Sequence, residues 1–200
     1  MTRSFAVTWD YRCPFARNAH EHLLTGLQGG ADWDVKFQVF SLDQAHVEED
    51  RPPVWDEPDR YPGILANLAG VVIRDRDPAN FQTVHRALFA ARHDQALDLR
   101  DRAILRKVLD ESGVDGSGVL SEVDSGWPLK ALETEHTDGV ERLHVFGVPT
   151  FISEDRAVFV RLMSRPGDDS DLASSTINRV LDLVDSWPEL NEFKYTSISH

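Results

Sequence analysis

The sequence has a single cysteine, Cys13, and this scarcity of thiols excludes several classes of protein. One cysteine cannot form an intramolecular disulfide, so the chain is not a disulfide-stapled secreted scaffold. Long hydrophobic runs are also missing: the longest, such as residues 88–91, fall far short of the roughly 20 apolar residues that span a bilayer. No secretory signal is recognisable near the amino terminus, where Asp10 soon interrupts a short apolar run. The sequence therefore predicts a cytoplasmic protein without a membrane partner.

Positive charge is scarce as well. The 200 residues contain 34 Asp and Glu against 21 Lys and Arg, which gives a formal net charge of −13. Such a surface repels polyphosphate, so nucleic acid is a poor partner. A composition of 41% hydrophobic and 28% charged residues suits a folded chain, and the length suits one large domain or one domain with an insertion. We expect a monomer or a homodimer.

The spacing of apolar residues divides the chain into a β-α-β beginning, a helical block and a β-β-α end. A β-α-β unit makes two parallel strands, and a hairpin adds two antiparallel strands at one side of them. The predicted elements, in chain order, are a strand over 5–9, a helix from Pro14, a strand over 34–42, a loop over 43–60, helices over 63–74, 78–93 and 99–112, one or two helices within 119–143, a strand ending near 152, a strand over 157–162, a helix to about Trp187, and a polar tail over 189–200.

Cys13 is the sharpest chemical signal, because it lies between a predicted strand and the amino terminus of a predicted helix. Unpaired N–H groups and the positive end of the helix dipole favour a thiolate there. The sequence therefore predicts a depressed pKa for Cys13, to which Arg12 would add if it pointed inward. The alternative is a buried, inert cysteine that acts as a small hydrophobic residue.

Two short motifs in a fixed order resemble a known family. Cys13-Pro14-Phe15-Ala16 follows the first strand, and Gly147-Val148-Pro149-Thr150 precedes the third, with a helical block between them. This arrangement resembles the DsbA-like branch of the thioredoxin superfamily. The resemblance implies an α/β, thioredoxin-like fold with an inserted α-helical domain: residues 1–60 and 144–200 form the thioredoxin-like domain and 61–143 the insertion.

Within that branch the chain is most similar to cytoplasmic actinobacterial members, including the mycothiol-dependent nitroreductase type. The tail segment Trp187-Pro188…Phe193-Lys194 also resembles that group. Kappa-type glutathione transferases and 2-hydroxychromene-2-carboxylate isomerases share the same architecture.

The resemblance also implies a set of site residues. Pro149 is expected to be cis and to face the reactive Cys13, with Val148 offering backbone hydrogen bonds to a bound thiol or peptide. Tyr11, Pro14 and Phe15 are candidates for contacts with that thiol. From the residues alone two arrangements stay open: Trp9 is core while Tyr11 and Phe15 line a pocket, or all three are core.

No metal site is expected. His20 and His22 are two positions apart on a helix and do not share a face, so they make a poor ligand pair. The sequence places His20 on a solvated helix face.

One departure from the family pattern decides the expected chemistry. The family's redox motif is Cys-x-x-Cys, and here its fourth position is Ala16. The resemblance therefore implies a monothiol oxidoreductase, in which Cys13 forms a mixed disulfide that an external small thiol resolves. Its partners would be a small thiol or disulfide substrate and a thiol co-substrate, mycothiol or glutathione, with no tightly bound cofactor. The alternatives are a thiol-cofactor transferase or isomerase, and a non-catalytic module that binds a thiol or peptide.

Overall fold

A computed structural model describes residues 2–192 and 194 of the chain. Phe193, part of the tail segment that resembles the actinobacterial group, lies outside the described residues. The strands are β1 (Arg3–Trp9), β2 (Trp33–Val39), β3 (Thr150–Ser153) and β4 (Arg156–Phe159). The α-helices are α1 (Pro14–Gln28), α2 (Leu42–Ala45), α3 (Leu65–Arg76), α4 (Pro78–His93), α5 (Arg102–Glu111), α6 (Gly116–Asp124), α7 (Trp127–Leu143) and α8 (Ser170–Ser186), with short 3-10 turns at Pro58–Arg60 and Pro62–Ile64.

The four strands form one mixed sheet in the order β2-β1-β3-β4. β1 runs parallel to β2, with Val7 opposite Phe37, and antiparallel to β3, with Val7 opposite Phe151. β3 and β4 form the predicted hairpin. The thioredoxin-like sheet predicted above is thus confirmed, and the carboxyl end of the central strand leads directly to Cys13.

Two predicted strands end earlier in the structure than their apolar residues suggested. β2 stops at Val39, because Ser41 caps the short helix α2 with its hydroxyl, which accepts the N–H of Gln44 at 3.1 Å. The loop predicted from residue 43 therefore begins with a helical turn. β4 stops at Phe159, and the N–H of the next residue, Val160, turns to the carbonyl of Pro149 at 3.1 Å.

After the short helix α2, five helices, α3 to α7, fill the rest of the region between β2 and β3. Amphipathic spacing predicted them because apolar residues three and four apart form one inward stripe. α4 has the predicted bounds. The segment predicted over 119–143 corresponds to two helices, α6 and α7, and α6 begins earlier than predicted, at Gly116. α3 packs against α4, α6 and α7, so it is the centre of this group. Within the described residues, none of the helices has the length and apolar character needed to cross a bilayer.

The packing of α1 corrects the expectation for His20. Ala16, Ala19 and Leu23 face the core, as their spacing predicted. His20 is also fully buried, at 0% exposure, because α4 covers the face of α1 that carries it. A solvated helix face was therefore the wrong interpretation.

Candidate active site around Cys13

Cys13 is the N-cap residue of α1, in the turn that follows β1. Its own N–H donates to the carbonyl of Asp10 at 3.0 Å, which closes the turn. Its Sγ accepts the N–H of Ala16 at 3.4 Å, so the sulfur does what an N-cap oxygen does in other helices. The side chain is 8% exposed. The sulfur is thus fixed at the helix end with little access to water.

The second motif meets the first at this sulfur. The Val148–Pro149 peptide bond is cis, and the carbonyl of Val148 accepts the Cys13 Sγ–H at 3.2 Å. Residues 135 positions apart in the chain are thereby in direct contact. The structure therefore brings Cys13, Val148 and Pro149 together.

Buried threonines hold the loop that carries Val148. Thr8 of β1 accepts the N–H of Thr150 at 2.8 Å, and the Thr150 hydroxyl donates to the carbonyl of Gly147 at 2.8 Å. Because β1 also leads into the Cys13 turn, one strand positions both halves of the site. Sequence reasoning missed these threonines, since a polar residue in a short β-branched run gives no signal of its own.

The remaining candidate residues lie at different depths. Pro14 is exposed and Phe15 is half-buried, with the guanidinium of Arg161 lying 5.4 Å from the centre of its ring. Trp9 is fully buried and belongs to the core. Tyr11 is also buried, at 1% exposure, but one edge of it lines a cavity beside the Cys13 turn. The observed arrangement is therefore intermediate between the two that the sequence left open. Trp9 is core, Phe15 is half-buried, and Tyr11 is buried but also lines a cavity.

All three polar groups of Tyr11 are bonded to the helical segment. Its N–H donates to Oδ1 of Asn67 on α3 at 3.1 Å, and its carbonyl accepts from Nε2 of His93 on α4 at 2.9 Å. Its hydroxyl lies 2.7 Å from Nδ1 of His85. The turn that carries Cys13 is thus anchored to α3 and α4 as well as to the sheet.

The Tyr11 hydroxyl is the first member of a buried hydrogen-bond chain. His85 Nε2 lies 2.9 Å from Nδ1 of His20, and His20 Nε2 lies 3.1 Å from the carbonyl of Thr8. A carbonyl can only accept, so His20 donates to it, His85 donates to His20, and Tyr11 donates to His85. Burial lowers the pKa of His20 to about 4 and that of His85 well below its ordinary value, which keeps both rings neutral.

Burial also corrects the expectation for the thiol. Loss of hydration raises the pKa of Cys13, the N–H groups of Ala16 and Phe15 lower it by less, and the Asp10 carboxylate raises it further. The depressed pKa that the helix position suggested is therefore wrong. Arg12 does not help the thiolate either, because its guanidinium is 2.6 Å from Asp43 and 3.4 Å from Asp10.

Comparison with known proteins agrees with this geometry. A family profile, the DSBA-like thioredoxin domain, matches residues 67–171. The oxidoreductase NmDsbA1 from N. meningitidis is 18% identical, with a TM-score of 0.58 over 94% of this chain and 86% of that one. The cytosolic disulfide reductase DsbM from Pseudomonas aeruginosa, solved with GSH, is 18% identical, with a TM-score of 0.60 over 90% and 100%. A 2-hydroxychromene-2-carboxylate isomerase is 15% identical, with a TM-score of 0.62 over 90% and 96%. No curated protein sequence matches the chain.

The structure is a thioredoxin fold with helices inserted between β2 and β3. Three features define it: the sheet order, the cysteine at the start of α1 and the cis peptide bond next to that cysteine. Within that class, the chain belongs to the DsbA-like thioredoxin family. This family includes thiol oxidoreductases and isomerases.

Proposed function

We propose that the protein is a cytoplasmic monothiol oxidoreductase that exchanges thiols and disulfides at Cys13. The observation that carries the proposal is the 3.2 Å contact between Cys13 Sγ and the carbonyl of Val148. Once Cys13 loses its S–H proton, this carbonyl is free to accept a hydrogen bond from the backbone of an extended thiol-bearing ligand. Pro14 and Phe15 would form the outer edge of that binding site, and Tyr11 its inner side.

The chemistry balances without a second cysteine in the chain. The Cys13 thiolate attacks one sulfur of a disulfide, forms a mixed disulfide and releases the other half as a thiolate. An external thiolate then attacks the mixed disulfide at the substrate's sulfur, forms a new disulfide and returns the Cys13 thiolate. The two steps exchange one thiol for another in the disulfide, with no net oxidant or reductant.

The raised pKa of Cys13 suits a slow, long-lived mixed disulfide. A thiol with a high pKa is mostly protonated at neutral pH, although its thiolate is intrinsically more nucleophilic. It is also a poorer leaving group, so the adduct persists until a second thiol arrives. We propose glutathione or mycothiol as that thiol. Supporting this, a structurally similar protein, DsbM, was solved with GSH.

Mass spectrometry of the full chain tests the proposal. Purified protein incubated with glutathione disulfide should gain one glutathionyl adduct on Cys13, and added reduced thiol should remove it. Cys13→Ser is the matched control and should gain none. If the wild-type chain stays unmodified at pH 8.5 while a small model thiol is consumed, Cys13 is not an exchange nucleophile.

A second candidate function is a thiol-cofactor transferase or isomerase. One observation favours it: the Cys13 S–H donates a hydrogen bond to the carbonyl of Val148. In this arrangement the side chain is a neutral hydrogen-bond donor and not a thiolate. In that role the cofactor supplies the reactive sulfur and Cys13 only orients it. Thiol-dependent turnover that survives Cys13→Ser would favour this candidate over the first.

A further inference from the structure

A cavity of about 360 Å³ lies beside the turn that carries Cys13. Tyr11 and Arg12 of the turn form one wall, and Gly63 and Ala66 form a second. The remaining wall comes from the end of α4 and the loop after it. Its volume lies within the range of small-ligand sites. Cys13 is not part of the lining, but Tyr11 and Arg12, the two residues before it, are, so a ligand held in this cavity lies against the turn that carries the sulfur.

The cavity has a cationic lining in an acidic protein. Three of its residues are arginines, Arg12, Arg92 and Arg100, and only one, Asp98, is acidic. The whole chain, by contrast, carries a formal net charge of −13. The concentration of guanidinium groups at this position therefore favours an anionic ligand.

The three arginines differ in how far their charges are already satisfied. Arg12 is bonded to the carboxylates of Asp10 and Asp43. Arg100 is bonded twice to Asp98, at 2.8 Å each, and this lowers the pKa of Asp98 to about 2. Arg92 forms no ion pair and no side-chain hydrogen bond within residues 2–192 and 194. The charge of Arg92 also helps to lower the pKa of Asp98, but the Asp98 carboxylate is bonded to Arg100, which leaves the N–H donors of Arg92 open to a ligand carboxylate.

We infer that this cavity, called here the Arg92 cavity, binds a carboxylate carried by the small thiol or disulfide that reacts at Cys13. A guanidinium and a carboxylate are both planar, so the guanidinium can donate two parallel hydrogen bonds to the two carboxylate oxygens. The inference rests on the proposed function and narrows it to carboxylate-bearing thiols. Glutathione has this feature, whereas the cysteine carboxyl of mycothiol is held in an amide.

The test uses two disulfides that differ in charge and are otherwise similar. Dithiodipropionate ends in carboxylates and hydroxyethyl disulfide ends in hydroxyls. Rates of mixed-disulfide formation on Cys13 are measured by mass spectrometry at low ionic strength, where exposed charges are least screened. Arg92→Gln should slow the reaction with dithiodipropionate about twofold to fivefold, because an exposed guanidinium–carboxylate pair contributes only modestly. The rate with hydroxyethyl disulfide should not change.

Arg179→Gln is the matched control, since it removes the same charge from another exposed position. It lies on α8 beside Asn178, whose carbonyl accepts from Arg3 at the start of β1. The length of β1 therefore separates it from Cys13, and both rates should stay at the wild-type value.

Measuring both steps of the exchange identifies which reactant carries the carboxylate. Cys13 is first loaded with the hydroxyethyl group, and the adduct is then resolved with mercaptopropionate or mercaptoethanol. An Arg92→Gln effect on formation alone assigns the carboxylate to the substrate disulfide, and an effect on resolution alone assigns it to the co-substrate thiol. If Arg92→Gln has no charge-selective effect on either step, the inference is overturned while the exchange reaction stands. If neither disulfide modifies Cys13 at all, the proposed function itself fails.

Discussion

The hydroxyl of Tyr11 donates to Nδ1 of His85 across 2.7 Å, between the active-site turn and α4. Both side chains are buried, so neither group can exchange this bond for one to water. The bond therefore stabilises the folded chain and also helps to hold the turn before Cys13 in its position.

Tyr11→Phe should lower the free energy of unfolding by about 1–3 kcal/mol, because it leaves Nδ1 of His85 buried without a donor. Urea unfolding at pH 7.5 measures the change. Tyr61→Phe is the control: Tyr61 is half-buried and its hydroxyl makes no protein hydrogen bond in the described part of the chain. Equal losses for the two variants would contradict a specific role for the Tyr11–His85 bond.

Stability should fall as the pH is lowered from about 6.5 toward 4. Burial lowers the pKa of His20 and of His136 to about 4, and that of His85 lies well below its ordinary value. Over this range the unfolded chain binds protons that the folded chain excludes, so the stabilisation is complete above about pH 6.5. For His20 alone the loss approaches about 3 kcal/mol once the pH reaches its folded pKa.

Unfolding free energies at pH 7, 6 and 5 measure this dependence. His144→Asn is the control, since His144 is exposed and adopts a left-handed conformation that Asn tolerates. That variant should show the same pH dependence as the wild type. A wild-type stability that stays flat from pH 7 to 5 would show that the buried histidines are not held neutral.

Alkylation of Cys13 should have a midpoint above about pH 8.5, the value of a free thiol, because burial raises the pKa of the folded thiol. The rate of reaction with iodoacetamide across pH 7 to 10.5 measures the midpoint. The same chain unfolded in urea provides the reference and should titrate at a lower pH. A folded midpoint below the unfolded one would contradict this prediction and support a thiolate that the helix end stabilises.

Ala16→Cys should supply the missing resolving thiol. Residues 13 and 16 are one helical turn apart, and the N–H of Ala16 already lies 3.4 Å from Cys13 Sγ. A tethered thiol acts at an effective concentration of roughly millimolar or more, so intramolecular resolution should compete with external thiol. Mild oxidation should therefore remove both free thiols, and in a single turnover release of the substrate thiol from the mixed disulfide should depend less on added thiol. Reduction of the 13–16 disulfide for the next turnover still consumes added thiol.

Ala19→Cys is the matched control for this variant. Ala19 is equally buried on α1, but about 9 Å of helix rise separates it from Cys13, which exceeds disulfide reach. It should retain both thiols under the same oxidation. Identical thiol counts in the two oxidised variants would mean that position 16 does not meet the sulfur.

Local sequence patterns were enough to predict much of the fold. α4 and the buried face of β2 follow from periodicity, which depends only on the side that each element buries. The juxtaposition of Cys13 with Val148 and Pro149 came from the resemblance to the DsbA-like family. The ends of β2 and β4 were less predictable, since a cap at Ser41 and a bond at Val160 decide them.

The electrostatics of the site could not be predicted from the sequence. The pKa of Cys13 depends on how much of the sulfur other segments cover, and the covering carbonyl is 135 positions away. Histidine is a polar residue, and nothing in the neighbouring sequence indicates that His20 is buried. Its hydrogen bond to His85 on α4 shows that it is. The sequence signal that could have indicated this burial was His85, a polar residue on the apolar face of α4.

The pairing of β1 with β3 has a consequence for the newly made chain. β1, α1 and β2 leave the ribosome early, whereas β3 and the loop before it follow only after the whole helical segment. Until then one edge of the central strand has open N–H and C=O groups, and the sulfur of Cys13 has no carbonyl facing it. The nascent thiol is therefore more accessible to solvent oxidants than the thiol of the finished protein.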